Sequence, residues 1–272
     1  MRIGIIGGGI GGLTLAQALK RAGAACIVFD RDPSPEKTGG YRLHLSGEAL
    51  ACMRRALPEE IVRSLSEVGT GSEAFKQFSV LDHRRNTRLA LPVNGKEDIL
   101  MIGRMPLRNI LTWGLEQSIR WDAAFSAYEE KESGIVLHFS NKTSEEVDLL
   151  IGADGVNSAV ARQLLGRRTA RSAGVTAIAG RTPLTSGMRR ALYADLQKGP
   201  GFAVGPGGIG MFLSVHDPAE RALSTAAAEI SGVREEPYLI WSTAAENGMF
   251  PSDLRTAGPE RLAAEALKLI EQ

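Results

Sequence analysis

The feature that most constrains this chain is a run of glycines that follows its first apolar segment. Arg2–Ile6 is a short apolar run, which is typical of a buried strand. Gly7, Gly9 and Gly12 then form the pattern G-x-G-x-x-G, and apolar residues at helical spacing follow directly. Ala25–Phe29 is a second apolar run that predicts a buried strand. A strand, a glycine turn, a helix and another strand in this order form a βαβ unit, which predicts a parallel sheet.

The three glycines of this pattern have separate physical roles at a phosphate-binding turn. Gly7 allows the tight turn, Gly9 lets the backbone approach a pyrophosphate, and Gly12 lets the helix pack closely on the strand. Ile10 and Gly11 lie at the helix N-terminus, whose free N–H groups and partial positive charge attract phosphates. The turn therefore predicts a site for the ADP half of a dinucleotide, and a glycine-rich turn without a ligand is the alternative.

An acidic residue ends the second strand near the spacing that this fingerprint requires. Asp30 follows Gly12 at close to the ~20 residues that separate the glycine turn from a ribose-binding carboxylate. Its carboxylate suits the hydroxyls of an adenosine ribose and would repel a 2′-phosphate. The fingerprint by itself does not distinguish NAD from FAD.

The rest of the chain changes character after Gly166. Up to that point helices and strands alternate, whereas Val175–Met211 is rich in glycine and lacks a helical period, which indicates antiparallel sheet. The fold class predicted is α/β, with a Rossmann-like parallel nucleotide-binding domain interleaved with a smaller β-rich domain. The elements predicted after the second strand are a loop over Asp32–Gly40, a helix over Ser46–Arg55 with Ser46 as N-cap, strands within Phe75–Leu91, a helix over Leu107–Ile119, strands over Gly134–Phe139 and Val147–Ile151 joined by a turn over Ser140–Glu146, a helix over Ser158–Leu165, a hairpin turn at Val204–Gly210 and a helix over Pro259–Ile270.

Composition argues against several classes of protein. The net charge of the 272-residue chain is +1, which argues against nucleic acid as the main partner because a binding face usually carries a basic excess. The uncharged run Ile3–Leu19 is too rich in glycine for a signal peptide, and no other run approaches the length of a membrane-spanning helix. Cys26 and Cys52 are too few for a disulfide framework, so we expect buried, reduced thiols in a cytoplasmic protein. The four histidines lack metal-ligand spacing, so no metal is expected.

Three further segments carry a resemblance to a known family. Residues 148–158, D-L-L-I-G-A-D-G-V-N-S, resemble the G-A-D-G-x-x-S segment of the FAD-dependent aromatic hydroxylases, the family of para-hydroxybenzoate hydroxylase and the tetracycline-inactivating monooxygenases. Residues 103–111, G-R-M-P-L-R-N-I-L, resemble that family's arginine before a leucine-containing helix. Residues 39–45, G-G-Y-R-L-H-L, resemble the loop and strand beneath its flavin. With the glycine turn, these segments match the family in order and spacing over about residues 1–165.

The resemblance implies a parallel FAD-binding domain with an interposed β-sheet substrate domain. We expect the FAD-binding domain over residues 1–70 and 98–165, and the substrate domain over residues 71–97 and 166–245. Residues 246–272 are expected to form a C-terminal helical segment. FAD rather than NAD is then the bound cofactor.

The resemblance also implies roles for individual residues. Asp30 would hold the adenosine ribose, and Arg31 would lie beside the adenine. Arg104 would bind the adenosine–pyrophosphate half, since a guanidinium group binds phosphate bidentately. Asp154–Gly155 would order the pyrophosphate loop and contact the nicotinamide donor, and Arg42 would line the cofactor cleft.

The activity that the resemblance implies is hydroxylation of an aromatic or polyketide-like small molecule, with O₂ as co-substrate and NAD(P)H as transient reductant. Because the flavin carries the hard step while the protein supplies position and excludes water, no catalytic side chain is assigned. Two alternatives stay open: a flavin reductase or dehydrogenase of the same fold, and a non-catalytic nucleotide-binding protein that needs a second chain.

This sequence departs from the family pattern at two points. The family places an arginine directly after S-x-V, where this chain has Ala161 followed by Arg162. The family's third FAD segment contains a Gly-Asp pair, which does not occur in this sequence. We therefore expect the chain to correspond to the N-terminal two-thirds of a hydroxylase, and its hydroxylase turnover by itself to be weak or absent. Its exposed apolar face would be covered by a second chain or by another copy of this one.

Overall fold

The chain folds into two compact units, and each unit is built from separate segments of the sequence. The computed structural model describes residues 1–93, 98–218, 223–233 and 235–271. The first unit comprises Met1–Gly69, Leu100–Arg171 and Arg221–Arg234, and the second comprises Thr70–Ile99, Ser172–Glu220 and Glu235–Gln272. The domain limits expected at residues 97 and 272 lie outside the described residues.

Helices and strands alternate in the first half of the chain, and strands dominate the second half. The helices of the described ranges are α1 (Ile10–Arg21), α2 (Gly47–Ala56), α3 (Glu59–Val68), α4 (Arg104–Thr112), α5 (Ala159–Leu165), α6 (Ser186–Ala191), α7 (Thr225–Ser231) and α8 (Pro259–Ile270). The strands are β1 (Arg2–Ile6), β2 (Ala25–Phe29), β3 (Arg42–Leu45), β4 (Gln77–Asp82), β5 (Thr87–Pro92), β6 (Leu100–Gly103), β7 (Ile119–Arg120), β8 (Phe125–Lys131), β9 (Gly134–Phe139), β10 (Ser144–Val147), β11 (Leu149–Gly152), β12 (Val175–Pro183), β13 (Gly201–Val204), β14 (Gly210–His216) and β15 (Tyr238–Glu246).

A parallel sheet forms the centre of the first unit. Its strand order is β11, β1, β2, β7, and each neighbouring pair is parallel. β1 is buried from Ile3 to Ile6, as expected of a parallel strand that is covered on both faces. Helix α1 turns Leu13 and Ala16 toward the core, and α4 adds Leu107 to the same apolar cluster. The sheet therefore holds the start of α1 at the end of β1.

Two smaller sheets complete the first unit. β8, β9 and β10 form an antiparallel sheet, and β3 pairs with β6 in an antiparallel ribbon. Phe29 at the end of β2 packs on Phe139 of β9, with ring centroids 4.8 Å apart. Leu137 and Val160 extend this second apolar cluster.

Helix α7 joins the first unit although its flanking segments belong to the second. Ile230 lies in the main apolar cluster of the first unit. Asn109 Nδ2 in α4 donates a hydrogen bond to the Ser231 carbonyl, at 3.0 Å. The sequence pattern predicts that all of 166–245 belongs to the β-rich domain, whereas Arg221–Arg234 belongs to the unit that contains the parallel sheet.

One mixed sheet dominates the second unit. Its order is β12, β15, β14, β13, β4, β5, and every neighbouring pair is antiparallel except β13 and β4. The longest ladder joins β12 to β15, from Val175 opposite Glu246 to Pro183 opposite Tyr238. Helix α8 packs its buried Ala266 against Ile178, as the amphipathic pattern of its sequence requires.

Several local predictions are confirmed. The strands over Arg2–Ile6 and Ala25–Phe29 and the helix over Pro259–Ile270 occur as predicted. Ser46 is the N-cap of α2, and its hydroxyl accepts a hydrogen bond from the Ala49 N–H at 3.4 Å. The hairpin turn predicted at Val204–Gly210 joins β13 to β14.

Other predictions are wrong, each for an identifiable physical reason. The helix predicted over Leu107–Ile119 begins at Arg104 and ends at Thr112, because Gly114 adopts φ +73°, which an α-helix does not accommodate. The turn predicted over Ser140–Glu146 is shorter, because β10 pairs with β9 despite its polar sequence. Helix α3 was not predicted.

The two cysteines lie in different environments. Cys26 is buried, and burial raises the pKa of its thiol. Cys52 is exposed, so the expectation that both thiols are buried is wrong. Cys52 lies on the outer face of α2, next to the buried Met53. In the described ranges, no helix combines the length and the apolar character needed to cross a bilayer.

The spacing between β1 and α1 predicts opposite effects for two neighbouring glycines. A Cβ at position 12 would lie 1.9 Å from the Gly7 carbonyl oxygen, whereas a Cβ at position 11 would meet no atom within 4 Å. We expect Gly12→Ala to lower the free energy of unfolding by about 3 kcal/mol, because α1 must move away from the end of β1 to make room for the methyl group. Gly11→Ala is the matched control and should leave stability unchanged or raise it by up to about 1 kcal/mol. Urea unfolding measures both, and equal stabilities of the two variants would contradict this packing.

Candidate cofactor site

The candidate site lies where the order of strands in the parallel sheet reverses. From β1 the chain passes through α1 to β2 on one side, whereas β11 pairs with β1 on the other side. Ligands of open α/β sheets bind beyond the carboxyl ends of the strands at such a switch point. Two loops lie there side by side: the glycine turn after Ile6 and the loop after Gly152. The Ala153 N–H joins them by donating to the Ile6 carbonyl at 2.7 Å.

The glycine turn is compact because it leaves no room for side chains on its inner side. Gly7 adopts φ +111°, and a Cβ there would lie 2.3 Å from the Ala153 carbonyl oxygen. The Gly7 N–H donates to the Phe29 carbonyl at 2.8 Å, which ties the turn to the end of β2. The Gly7 carbonyl in turn occupies the space that a side chain at Gly12 would need.

The outer side of the turn is open and suits an anion. A Cβ at Gly9 or at Gly11 would meet no atom within 4 Å in the described structure. Gly9 is the N-cap of α1, and the first turn of this helix contains no acidic side chain. The first N–H groups of an α-helix have no intrahelical partner and attract phosphate. The residues present therefore fit the pyrophosphate of a dinucleotide.

Asp30 is held tightly at the end of β2. Its Oδ2 accepts a hydrogen bond from the Gly8 N–H at 2.5 Å, and its Oδ1 accepts one from the Asp32 N–H at 2.8 Å. Arg108 Nη2 lies 3.1 Å from Oδ1, and 11% of the Asp30 side chain is exposed. A carboxylate has about four acceptor positions, so these three contacts leave one for a ribose hydroxyl.

Sequence reasoning missed Gly8, Asp32 and Arg108, which surround Asp30. Arg108 lies in α4, four residues after Arg104, on a buried stretch of the helix that is apolar apart from its neighbour Asn109. A charged residue at a buried helical position signals a buried partner, and this signal could have identified Arg108 from the sequence.

Arg104 lies against the loop that precedes β3. Its Nε donates to Thr38 Oγ1 at 2.9 Å, and its backbone N–H donates to the Tyr41 carbonyl at 2.9 Å. A Cβ at Gly40 would lie 3.2 Å from the Arg104 side chain, so glycine permits this approach. Arg42 follows in β3, where it pairs with Gly103. The structure thus places Arg42 in the ribbon and Arg104 at the start of α4, directly after the ribbon.

Asp154 and Arg31 lie in contrasting environments. The Asp154 carboxylate accepts hydrogen bonds from Ser158 Oγ at 2.5 Å and from the Ala159 N–H at 2.6 Å. It therefore fixes the start of α5 and the turn through Gly155, whose φ is +81°. Arg31 is exposed immediately after Asp30.

Comparison with known proteins identifies the family. Residues 1–225 match the family described as FAD binding domain. This match covers most of the chain, and the chain belongs to that family. Membership of this family supports FAD as the cofactor.

Individual relatives are FAD-dependent oxygenases of larger size. A dual O-methyltransferase/FAD-dependent monooxygenase from Phaeosphaeria nodorum is 33% identical over 192 residues, which are 66% of this chain and 20% of the relative. A 3-amino-4-hydroxybenzoate 2-monooxygenase from Streptomyces platensis is 32% identical over 172 residues, which are 61% of this chain and 42% of the relative. The chain thus spans less than half the length of these two relatives.

A solved structure shares the fold over the whole chain. A protein from Photorhabdus luminescens subsp. laumondii TTO1, described as an FAD-containing monooxygenase, is 26% identical, with a TM-score of 0.81. The similarity covers 100% of this chain and 69% of that protein. The α/β fold class, with a parallel sheet and an additional β-rich unit, is confirmed.

The open space at Gly9 predicts a loss of ligand binding without a loss of folding. Gly9→Val places a side chain where no protein atom lies within 4 Å, but where the pyrophosphate is expected. We expect its FAD affinity to fall at least about hundredfold while its unfolding midpoint stays within the error of the parent. Gly248→Val, at a glycine of the second unit with equally open surroundings, is the matched control. Flavin fluorescence titration measures affinity, and retention of the parent's affinity by Gly9→Val would show that the turn is not the phosphate site.

The position of Arg104 predicts an electrostatic contribution to FAD binding. Arg104→Met keeps the apolar stem but removes the guanidinium group that we expect at the pyrophosphate. Affinity for FAD should fall about tenfold to hundredfold, and its dependence on salt should weaken. Arg63→Met in α3 is the control, because Arg63 is an exposed arginine that pairs with Glu59. An Arg104→Met affinity equal to that of Arg63→Met would contradict the role of Arg104.

Proposed function

We propose that this chain is the FAD-binding and substrate-binding part of a monooxygenase that hydroxylates an aromatic or polyketide-like small molecule. The observation that carries the proposal is the open helix N-terminus beside the glycine turn, at the switch point of a chain that belongs to the FAD-binding domain family. The names of the related proteins support the reaction class, since they include a 3-amino-4-hydroxybenzoate 2-monooxygenase and several FAD-dependent monooxygenases.

The residues of the first unit would each hold a different part of the cofactor. The turn from Gly7 to Gly12 would bind the pyrophosphate through backbone N–H groups. Asp30 would accept a hydrogen bond from the adenosine ribose, with Arg31 beside the adenine. Arg104 would neutralise phosphate charge, and Arg42 would line the cleft. Asp154–Gly155 would shape the loop next to the pyrophosphate.

When bound, FAD would supply the redox chemistry: NAD(P)H would provide two electrons, one atom of O₂ would enter an electron-rich substrate and the other would leave as water. The chain's part is to position the cofactor and substrate and to exclude water. Within the part of the chain that the structure describes, no group of three or more His, Cys, Asp or Glu side chains could hold a metal ion. The proposal accordingly assigns binding residues and no metal ligand.

The second unit is the proposed substrate domain. Its mixed sheet contains charged and aromatic side chains next to each other: the Arg181 guanidinium carbon lies 5.5 Å from the ring centroid of Tyr238. His216 lies 4.6 Å from the same ring, centroid to centroid. Tyr238 and His216 are both buried, so these contacts hold the sheet together beneath the surface that would face a substrate. Free thiols at Cys26 and Cys52 support a reducing, cytoplasmic setting.

The proposed function predicts incorporation of oxygen from O₂ into a substrate. The 272-residue chain is loaded with FAD, supplied with NADH or NADPH under ¹⁸O₂, and given a panel of phenols and aminophenols. From this chain alone we expect hydroxylated product that carries one ¹⁸O atom in low yield relative to the NAD(P)H oxidised, with hydrogen peroxide accounting for the rest, and no product from Gly9→Val, which binds FAD weakly. Tight coupling of product to NAD(P)H use would contradict the expected weak turnover, and NAD(P)H oxidation without ¹⁸O in any product would favour a flavin reductase.

A further inference from the structure

Arg108 is a buried arginine with an unusually complete set of partners. Its side chain is 4% exposed. Nε donates to the Gly8 carbonyl at 2.8 Å, and Nη1 donates to Asp32 Oδ2 at 2.6 Å. Nη2 lies 3.1 Å from Asp30 Oδ1, and the guanidinium carbon lies 5.0 Å from the ring centroid of Trp121. A buried cation requires such partners, because an unpaired one would be costly.

Gly8, Asp30 and Arg108 form a closed ring of contacts. The Gly8 N–H donates to Asp30 Oδ2, and Asp30 pairs with Arg108 through its other oxygen. Arg108 closes the ring by donating to the Gly8 carbonyl. The peptide groups on both sides of Gly8 are therefore held in place by side chains from β2 and α4.

The orientation of the peptide group between Gly8 and Gly9 determines where the Gly9 N–H points. In a planar trans peptide the C=O and the N–H point in opposite directions. The Gly8 carbonyl points toward Arg108, so the Gly9 N–H of the same peptide group points away from it. Gly9 also has open space beside its Cα, since a Cβ there would meet no atom within 4 Å. No partner of the Gly9 N–H is found among the described residues.

We propose that Arg108 is a positioning residue for the cofactor loop, which turns the Gly9 N–H toward the cofactor's phosphate without touching the cofactor itself. The inference rests on the assignment of the glycine turn to the FAD pyrophosphate. A preorganised backbone donor needs no rearrangement when the anion binds, and this increases affinity.

Charge alone does not explain this arrangement, because Arg108 contacts a neutral carbonyl as well as two carboxylates. A guanidinium group donates from three nitrogens in a fixed planar fork, whereas a lysine ammonium is a compact point charge on a flexible stem. Arg108→Lys therefore keeps the charge between Asp30 and Asp32 but loses the fixed fork that orients the Gly8 carbonyl. Arg108→Met removes both.

The test measures binding of 5′-ADP by calorimetry and the amide resonance of Gly9 in ¹⁵N-labelled protein. In the parent chain we expect the Gly9 amide to shift downfield when ADP is added, as a donor to phosphate does. Arg108→Lys should bind ADP at least about tenfold more weakly, with a smaller Gly9 shift, while its unfolding midpoint stays close to that of the parent. Arg108→Met should weaken binding at least as much and also lower the midpoint.

A matched control separates this role from a general effect of replacing a paired arginine. Arg261 donates from two nitrogens to Asp253 in the second unit, at 2.6 and 2.7 Å, so Arg261→Lys should leave ADP affinity unchanged. The proposal is overturned if Arg108→Lys binds ADP within about twofold of the parent with the same Gly9 shift. It is also overturned, whatever the variants do, if ADP binds to the parent chain without moving the Gly9 amide. Absence of ADP and FAD binding to the parent would instead reject the cofactor site itself.

Discussion

The close approach of α1 to the end of β1 is the constraint on which the cofactor site depends. The Gly7 carbonyl oxygen lies 1.9 Å from the place where a Cβ of residue 12 would be. Because Gly12 has no side chain, the helix can begin directly beyond the strand. Its unpaired N–H groups are thereby brought to the carboxyl edge of the parallel sheet, where ligands of such sheets bind. Leu13 and Ala16 hold the helix in this position by packing into the core.

The charged side chains around the glycine turn are a second constraint on the ligand. In the proposed site the helix end and Arg104 would face the phosphates. Among the described residues, Asp30 and Asp32 both pair with the guanidinium group of Arg108. Two carboxylates at this place would suit a dinucleotide with a free adenosine 2′-hydroxyl, as FAD has, and oppose a phosphate at that position. The same ion pairs tie the glycine turn, the end of β2 and α4 into one rigid group.

Both units depend on contacts between distant segments of the chain. In the first unit β1, α1 and β2 form one βαβ segment, whereas β11 and β7 join its sheet from far along the chain and Ile230 of α7 lies in its apolar cluster. The mixed sheet of the second unit likewise joins segments that are far apart in the chain, such as β4 with β13. Because the chain passes repeatedly between the units, neither is one continuous stretch of sequence. Cutting at a single point would not isolate either unit.

The sequence by itself determined the features that depend on neighbouring residues. The glycine turn, β1, α1, β2, the Ser46 cap and α8 follow from local pattern, since glycine spacing, N-cap chemistry and apolar periodicity act within a few residues. Asp30 and Arg104 could be proposed as site residues because they occupy fixed places in a fingerprint or a family segment. The features that depend on long-range contacts were decided only by the tertiary structure. Arg108 meets Gly8 across 100 positions and Asp32 across 76, and neither pairing leaves a periodic signal. The short polar strand β10 and the placement of α7 likewise depend on the partner that each finds after folding. A local pattern specifies which face of an element is apolar, but the surface that covers this face is selected only when distant segments pack together.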